Sequence, residues 1–267
     1  MIYVDLAAEL APMVACPFGS GYREYEPCEA LRPYVRCFWT GEGKDGGLVV
    51  PDICADIIFD FDKNTVFFCG VNDRPFQASV RTRSFGIRFY AWTAALFSED
   101  TLRGTLNGAF ELGAYFRRFE RELAPRIFAA ETTEQRIALS ERFLVNNIRD
   151  RRCGLFTQAL GEIIEWQGAC SAGRISKELH ISARQLERVF AEYSGLSPKK
   201  MAELVRYQCL WRDILFGRDF NAAEKALEYG YVDQSHLLRD FRRFHTMSPA
   251  AAKRNALGIF DEVINNL

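Results

Sequence analysis

Histidine is scarce in this chain, and its scarcity limits the chemistry available to more than half of it. The 267 residues include three histidines, and none of them precedes His180. Imidazole is a common ligand of zinc and iron, and it is the usual base of Ser-His and Cys-His pairs. The stretch before His180 therefore excludes a His-based metal centre and a catalytic pair that depends on histidine. We expect no metal and no cofactor.

Paired cysteines and long apolar runs are also missing. The eight cysteines are scattered without a C-x-x-C pair, so we expect thiols in a reducing compartment. The first residues, MIYVDLAAELAPMVAC, carry Asp5 and Glu9 and lack a basic segment typical of signal peptides. No apolar run reaches the about 20 residues that span a membrane. These features predict a cytoplasmic protein with no membrane partner.

Charge is unevenly distributed, although the formal net charge is only −1 at pH 7. Residues 1–150 hold 17 Lys+Arg against 21 Asp+Glu, whereas residues 151–257 hold 17 against 12. A mildly basic C-terminal part is compatible with nucleic-acid binding, but an excess of this size does not establish it.

The hydrophobic pattern changes along the chain. From about residue 22 to 90, short aromatic and β-branched runs predict strands, with hairpins at GEGKDGG and FDKNT. After about residue 92, helical spacing predicts helices over 109–123 and 132–148, the second capped at Thr132 or Thr133.

These patterns indicate two domains of the α+β class. We expect a β-rich barrel or sandwich in residues 1–150, with helices at 92–148, and an all-α domain in residues 151–267. The charged run NNIRDRRCG is interpreted as the link between them.

A duplicated segment dominates the second half. ISARQLERVFAEYSGLSPKKM, at 181–201, recurs as VDQSHLLRDFRRFHTMSPAAA, at 232–252. Of six aligned pairs at an offset of 51, five are identical and the sixth is aromatic in both copies. The pairs are Leu186/Leu237, Arg188/Arg239, Phe190/Phe241, Tyr193/Phe244, Ser197/Ser248 and Pro198/Pro249. Such agreement indicates an internal duplication.

Each copy predicts a helix-turn-helix unit. Ser182 and Asp233 stand at helix N-caps, and an apolar stripe in each helix faces away from a polar, cationic side. A short helix precedes each cap, so the units cover about 171–194 and 221–245. The segment between them starts a helix at Pro198 that spans about 27 Å. Two recognition helices at its ends would reach successive major-groove segments of double-stranded DNA.

Residues 171–254 resemble the double helix-turn-helix domain of the AraC/XylS family of transcription regulators. The resemblance is carried by RQLERVFAEYSGLSPKKMAELVRYQ and ALEYGYVDQSHLLRDFRRFHTMSP. LRPYVRCFW, PDICADIIFDF and GIRFYAW resemble the β-rich, cupin-like sensory domain of one subgroup. The resemblance implies a regulator whose N-terminal domain binds a small-molecule effector or mediates dimerisation. RNA polymerase would be a partner if the regulator is an activator.

The resemblance also assigns DNA contacts to exposed positions of the two recognition helices. Arginine suits guanine and glutamine suits adenine, whereas Arg242 and Arg243 suit phosphate. Glu187 has the alternative of pairing with a neighbouring arginine, and Arg188 and Arg239 have the alternative of a partly structural role. The candidates are Arg184, Gln185, Glu187, Arg188, Gln234, Ser235, His236, Arg239, Arg242 and Arg243.

A second set of candidates lies in the sensory motifs and mixes aromatic side chains with charges, as ligand pockets do. The alternative is that the aromatic residues are core and that Arg88 pairs structurally with Asp52 or Asp56. The helices at 109–123 and 132–148 are candidates for a homodimer interface or for intramolecular packing. The ligand candidates are Trp39, Asp52, Cys54, Asp56, Arg88, Tyr90 and Trp92.

Some features depart from the family pattern. Ser176 and Lys225 stand where small or apolar core residues are usual, and Thr246 replaces the glycine found at the matching Gly195. An alternative function, a repair enzyme fused to a DNA-binding module, would need clustered cysteines for its zinc, and the sequence has none. We therefore expect a regulator without enzymatic activity.

Overall fold

The computed structural model describes residues 21–42, 48–77, 83–148, 154–217 and 219–256. The predicted domain boundary at residues 150 and 151 lies outside the described residues, as does most of the hairpin GEGKDGG. We refer to the described residues before this boundary as the N-terminal region and to those after it as the C-terminal region.

The N-terminal region is built on an antiparallel sheet. The strands are β1 (Tyr22–Tyr25), β2 (Val35–Gly41), β3 (Leu48–Val49), β4 (Cys54–Asp60), β5 (Thr65–Cys69), β6 (Phe76–Gln77), β7 (Ser84–Tyr90) and β8 (Ala109–Glu111). Six of them form a sheet in the order β1-β2-β7-β4-β5-β8, and β3 pairs with β6 separately. The predicted β-rich fold is confirmed.

One face of the six-stranded sheet is apolar because side chains alternate along each strand. Ile57 and Phe59 of β4 lie opposite Ile87 and Phe85 of β7, and all four side chains are fully buried. Burial of each such side chain stabilises the fold by about 1.5–3 kcal/mol. The intervening positions of β4, such as Asp56, are only half-buried and point to the other face.

The predicted hairpin FDKNT joins β4 to β5. Asp60 lies opposite Thr65, and the Asp60 Oδ1 accepts hydrogen bonds from the backbone N–H groups of Asp62 and Lys63, at 3.1 and 3.0 Å. Asn64 closes the turn with a φ of 53°, in the left-handed region that asparagine tolerates better than most residues.

The helix predicted over 109–123 is wrong in its first half. Ala109–Glu111 is strand β8, which pairs with Phe67–Cys69 of β5. A short 3-10 helix follows at Leu112–Ala114, and the longer helical segment begins at residue 117. This pairing gives hydrogen-bond partners to the backbone N–H and C=O groups at the edge of β5. It stabilises a strand here, although the apolar residues have the spacing of a helix. Residues 92–108 likewise form turns around a short 3-10 helix at Ala94–Leu96.

Helical structure from residue 117 covers the apolar face of the sheet. It contains a π-helical turn at Phe119–Leu123 and continues as α1 (Ala124–Ala129), followed by α2 (Thr133–Val145). The Thr132 hydroxyl accepts the Gln135 N–H, and the Gln135 side chain accepts the Thr132 N–H, so the predicted cap is a full capping box.

The C-terminal region is all-α, as predicted. Its helices are α3 (Gly154–Glu165), α4 (Ala172–Glu178), α5 (Ala183–Ser194), α6 (Pro198–Phe216), α7 (Ala222–Glu228) and α8 (Gln234–His245), and a further helix begins at residue 249. None of the helices in the described ranges combines the length and apolar character that crossing a membrane requires.

The two helix-turn-helix units are capped as predicted. Ser182 accepts the Gln185 N–H before α5, and Asp233 accepts the His236 N–H before α8. Their turns differ in length, because three residues separate α4 from Ser182 and four separate α7 from Asp233. Each turn uses a left-handed residue, His180 with φ 54° in the first and Gly230 with φ 66° in the second.

Helix α6 joins the two units and forms the centre of the C-terminal core. Its Tyr207 and Trp211 pack against Phe241 and His245 of α8, and the Tyr207 hydroxyl lies 2.8 Å from His245 Nδ1. The buried apolar side chains of α6 also belong to one cluster that continues into the N-terminal region.

The buried imidazole of His245 makes stability depend on pH. Burial lowers its pKa to about 4, below the about 6.5 of an unfolded histidine. Protonation therefore favours the unfolded state, so the stabilisation is complete above pH about 6.5 and is lost as the pH falls towards about 4. We expect urea unfolding to show a loss of up to about 3 kcal/mol across this window, and a smaller loss in His245→Phe. Equal losses in both proteins would contradict this.

The residue that ends α8 is strained. Thr246 has a φ of 62° and Gly195, at the matching end of α5, has a φ of 72°. A left-handed conformation costs a residue with a Cβ about 1–2 kcal/mol, and glycine avoids that cost. We therefore expect Thr246→Gly to raise the free energy of unfolding by about 1 kcal/mol, measured by urea denaturation. An unchanged or lowered value would show that no strain is relieved.

Candidate functional sites

The first recognition helix, α5, presents a polar face to solvent. Arg184, Glu187 and Arg188 are exposed and Gln185 is half-buried, whereas Leu186 is fully buried on the other side. The spacing i, i+3, i+4 places the three exposed residues on one face of the first two turns. The structure therefore brings the predicted contact residues of the first unit together.

The second recognition helix, α8, has a similar face with more cations. Gln234, Ser235, Arg239 and Arg242 are exposed. His236 is half-buried, and its ring meets the Tyr231 ring edge-on, with centroids 5.2 Å apart. The turn of the second unit thus orients the His236 imidazole.

Arg243 differs from its neighbour Arg242. Its Nη2 lies 3.1 Å from Glu203 of α6 and 3.0 Å from Asp240, and its guanidinium stacks on Phe244. Within the described ranges, Arg242 has no carboxylate at ion-pair distance. Arg242 therefore carries an uncompensated charge, whereas Arg243 also anchors α8 to α6.

The ligand candidates of the N-terminal region meet on the second face of the sheet. Asp56 lies directly opposite Arg88 in the β4–β7 register. The Asp56 Oδ1 accepts hydrogen bonds from Arg88 Nε at 3.0 Å and from Trp39 Nε1 at 2.8 Å, and Arg88 Nη1 lies 3.7 Å from Asp52 Oδ2. We call Trp39, Asp52, Cys54, Asp56 and Arg88 the Arg88 cluster.

Burial controls the protonation of the Arg88 cluster. Burial raises the pKa of Asp52 and outweighs the opposing effect of Arg88. Burial and the neighbouring Asp52 raise the pKa of the Cys54 thiol well above its usual range. Burial opposes the charge of Arg88, but Asp56, Tyr22, Asp52 and Cys37 together outweigh it, so the pKa of Arg88 is raised well above its usual range. Arg88 is thus held as a cation by carboxylates, which is the pairing foreseen as the structural alternative.

The other two ligand candidates lie at the end of β7. Tyr90 stacks on Trp92 with ring centroids 4.7 Å apart, and Trp92 is fully buried. Trp92 is therefore a core residue, while Tyr90 adjoins the Arg88 cluster through Cys54, its partner in the strand register.

A set of contacts joins the two regions, and no sequence pattern indicates it. Gln208 of α6 donates a hydrogen bond from Nε2 to the carbonyl oxygen of Pro51, and Lys200 of α6 pairs with Asp73. The Asn107 amide donates to Asp73 at 2.7 Å. These polar residues are far apart in the chain, so no motif or spacing connects them.

The first recognition helix also touches the N-terminal region at its C-terminal end. The Leu102 N–H donates to the carbonyl oxygen of Glu192 at 2.9 Å. A Cβ at Gly195 would lie 2.5 Å from Thr105 Oγ1 and 2.7 Å from the Leu102 oxygen. Glycine is therefore required here for close approach as well as for its positive φ.

Two family models match the chain. Residues 175–255 match a family described as Helix-turn-helix domain, and residues 23–107 match one described as Domain of unknown function (DUF6597). No curated protein matches the sequence.

Solved structures of ToxT from Vibrio cholerae are similar to the chain at low identity. An apo ToxT variant is 10% identical with a TM-score of 0.41, and the match covers 82% of this chain and 97% of ToxT. Wild-type ToxT with a bound unsaturated fatty acid is 10% identical with a TM-score of 0.40, covering 89% and 95%. These TM-scores are too low to carry a structural argument.

The Arg88 cluster should dominate local stability. Removing the cation by Arg88→Leu leaves Asp52 and Asp56 without their buried partner, so we expect a loss of about 3–5 kcal/mol in urea unfolding. Arg32→Leu is the control, because the Arg32–Glu26 pair is exposed and such pairs contribute little. A loss for Arg88→Leu no larger than for the control would contradict the assignment.

Proposed function

We propose that this chain, whose C-terminal region makes it a DNA-binding regulator of the AraC/XylS family, reads two successive major-groove segments and responds to an effector through its N-terminal region. The duplicated unit supports this DNA-binding mode, because two exposed cationic helices are joined by one long helix. We further propose that the domains divide between residues 150 and 151.

The length of α6 supports binding to one face of DNA. Its 19 residues correspond to about 28 Å of helix. One turn of B-DNA separates equivalent major-groove segments by about 34 Å, which is comparable to the length of α6. A single chain therefore suffices to span both segments.

The side chains of the two recognition helices suit different DNA contacts. Arg184, Arg188 and Arg239 suit the O6 and N7 atoms of guanine, and Gln185 and Gln234 suit adenine. Glu187 can accept from the cytosine amino group, and Ser235 and His236 can bond to either base or phosphate. Arg242 is proposed as a phosphate contact, and Arg243 as a phosphate contact of smaller weight, because Glu203 and Asp240 compensate part of its charge.

We propose that a small-molecule effector acts through the Arg88 cluster together with Tyr90, which the buried Trp92 ring supports by stacking. Asp52 of this cluster follows Pro51, whose carbonyl oxygen accepts the hydrogen bond from Gln208 of α6. A ligand that displaces Asp52 from Arg88 would thus move the backbone that contacts the linker helix. Through this connection, effector binding would change the distance between the recognition helices.

The alternative is an N-terminal region that only dimerises or binds a protein partner. RNA polymerase is a further partner of the regulator if it is an activator. Exposed apolar side chains at the end of α2 favour a homodimer: Val145 is 47% exposed and Ile148 is 37% exposed. Analytical ultracentrifugation of Val145→Lys would test this alternative, because a charge at the interface would shift a dimer towards monomer.

Substitution in the recognition helices should separate specificity from affinity. We expect Arg184→Ala and Arg239→Ala to lose about 5- to 150-fold in discrimination against a changed base, the equivalent of about 1–3 kcal/mol. Arg242→Ala should weaken binding to all sequences alike and lower the salt slope by about 1. Fluorescence anisotropy on a DNA selected by the parent protein from a random library measures both quantities.

Arg126→Ala is the matched control, since Arg126 is an exposed arginine on α1 of the N-terminal region. It should leave affinity, discrimination and salt slope unchanged. If Arg184→Ala and Arg239→Ala kept the affinity and base preference of the parent at every salt concentration, the groove assignment would be wrong.

A further inference from the structure

A cleft with a volume of about 750 Å³ opens on the helix-covered side of the sheet, away from the Arg88 cluster. It lies where β1, the end of β2 and the start of β7 meet the β4–β5 hairpin and the loop between α1 and α2. Its lining includes three arginines, two glutamates and three aromatic residues: Arg23, Arg83, Arg136, Glu42, Glu131, Tyr25, Phe61 and Phe128. We call it the arginine cleft.

The arginine cleft and the Arg88 cluster lie on opposite faces of the sheet. Side chains alternate along β1, so Arg23 and Tyr25 point to one face and Tyr22 and Glu24 point to the other. Tyr22 and Glu24 contact Arg88, at 3.4 and 4.0 Å. The arginine cleft is therefore a separate site.

Arg136 is fixed in the cleft without a matching carboxylate. Its guanidinium lies 4.2 Å above the Phe61 ring, and its Nη2 donates to the Ala130 carbonyl oxygen at 2.8 Å. Among the described residues, no carboxylate lies within ion-pair distance of Arg136, and its buried Nε lacks a hydrogen-bond partner. The guanidinium is thus preorganised but not neutralised.

The electrostatic surroundings of Arg136 favour an incoming anion. Burial and the nearby Arg83 lower the pKa of Arg136, and Glu42 opposes them. Arg83 is held in place by Asp62, through Nε at 3.0 Å and through its backbone N–H at 2.9 Å. A bound anion would reduce the repulsion between the two guanidinium groups.

Aromatic side chains supply the apolar wall. Phe61 and Phe128 meet edge-on with centroids 5.6 Å apart, beside Tyr25. The volume lies within the about 300–1,000 Å³ that small-molecule sites occupy. The apolar wall stands beside a charged rim in which three arginines outnumber the two glutamates. A ligand that fits needs a flat apolar body and an anionic head.

We infer that the arginine cleft binds an organic carboxylate with an apolar, aromatic body, the carboxylate between Arg136 and Arg23 and the body against Phe61 and Phe128. This site is independent of the Arg88 cluster and of DNA binding. Its occupancy can be measured on the protein alone, so the outcome is separate from that of the proposed function.

Calorimetric titration of the full chain with three compounds distinguishes the contribution of the ligand's charge from that of its aromatic body. Naphthoate carries both the aromatic body and the charge, naphthamide carries the body alone, and acetate carries the charge alone. We expect naphthoate to bind and to raise the melting temperature, and we expect no saturable binding of naphthamide or acetate at the same concentrations. Equal binding of naphthoate and naphthamide, or no binding of naphthoate, would overturn the inference.

Variants locate the site. Arg136→Gln and Arg23→Gln should each weaken naphthoate binding by about tenfold, because each removes a charged donor to the carboxylate. Arg23 is on an exposed edge strand, so its variant tests the site even if Arg136→Gln disturbs the Phe61 stack. Arg126→Gln, outside the lining, is the control and should bind like the parent. Parent-like binding by both Arg23→Gln and Arg136→Gln would refute the placement.

Discussion

Helix α6 is the element on which the rest of the molecule depends. Twelve of its 19 residues are buried, so other elements pack against most sides of the helix. Tyr207 and Trp211 hold α8, Lys200 and Gln208 hold the N-terminal region, and Ser197 caps the same helix where α5 ends. Helix α6 therefore contacts both α8 and the N-terminal region directly.

The two helix-turn-helix units share a repeated sequence pattern, but they are packed differently. The first is packed against the N-terminal region at Glu192 and Gly195, whereas the second relies on α6 and on ion pairs such as Arg243–Glu203. This difference gives a reason for the glycine at one helix end and the threonine at the other. Close approach at Gly195 leaves no room for a Cβ, while Thr246 is exposed.

The sequence predicted what depends on neighbouring residues and missed what depends on distant ones. Caps at Thr132, Ser182 and Asp233 follow from local hydrogen bonding, and the structure has all three. The strand at Ala109–Glu111 was predicted as helix because its pairing with β5 is invisible to local periodicity. The Arg88–Asp56 pairing was foreseen as one of two alternatives, since both residues lie in strands that the pattern identified. The contacts of Gln208, Lys200 and Arg136 follow no spacing and could not be predicted.

The turn of the second unit has one more residue than the turn of the first, so the two units differ in structure. Because that turn has four residues where the first has three, α8 cannot leave its preceding helix with the same geometry as α5. The two faces also differ in composition, with Glu187 in the first and additional arginines in the second. In the proposed binding mode the two units would therefore present different faces to the two groove segments. A single chain would then distinguish the two ends of its binding site.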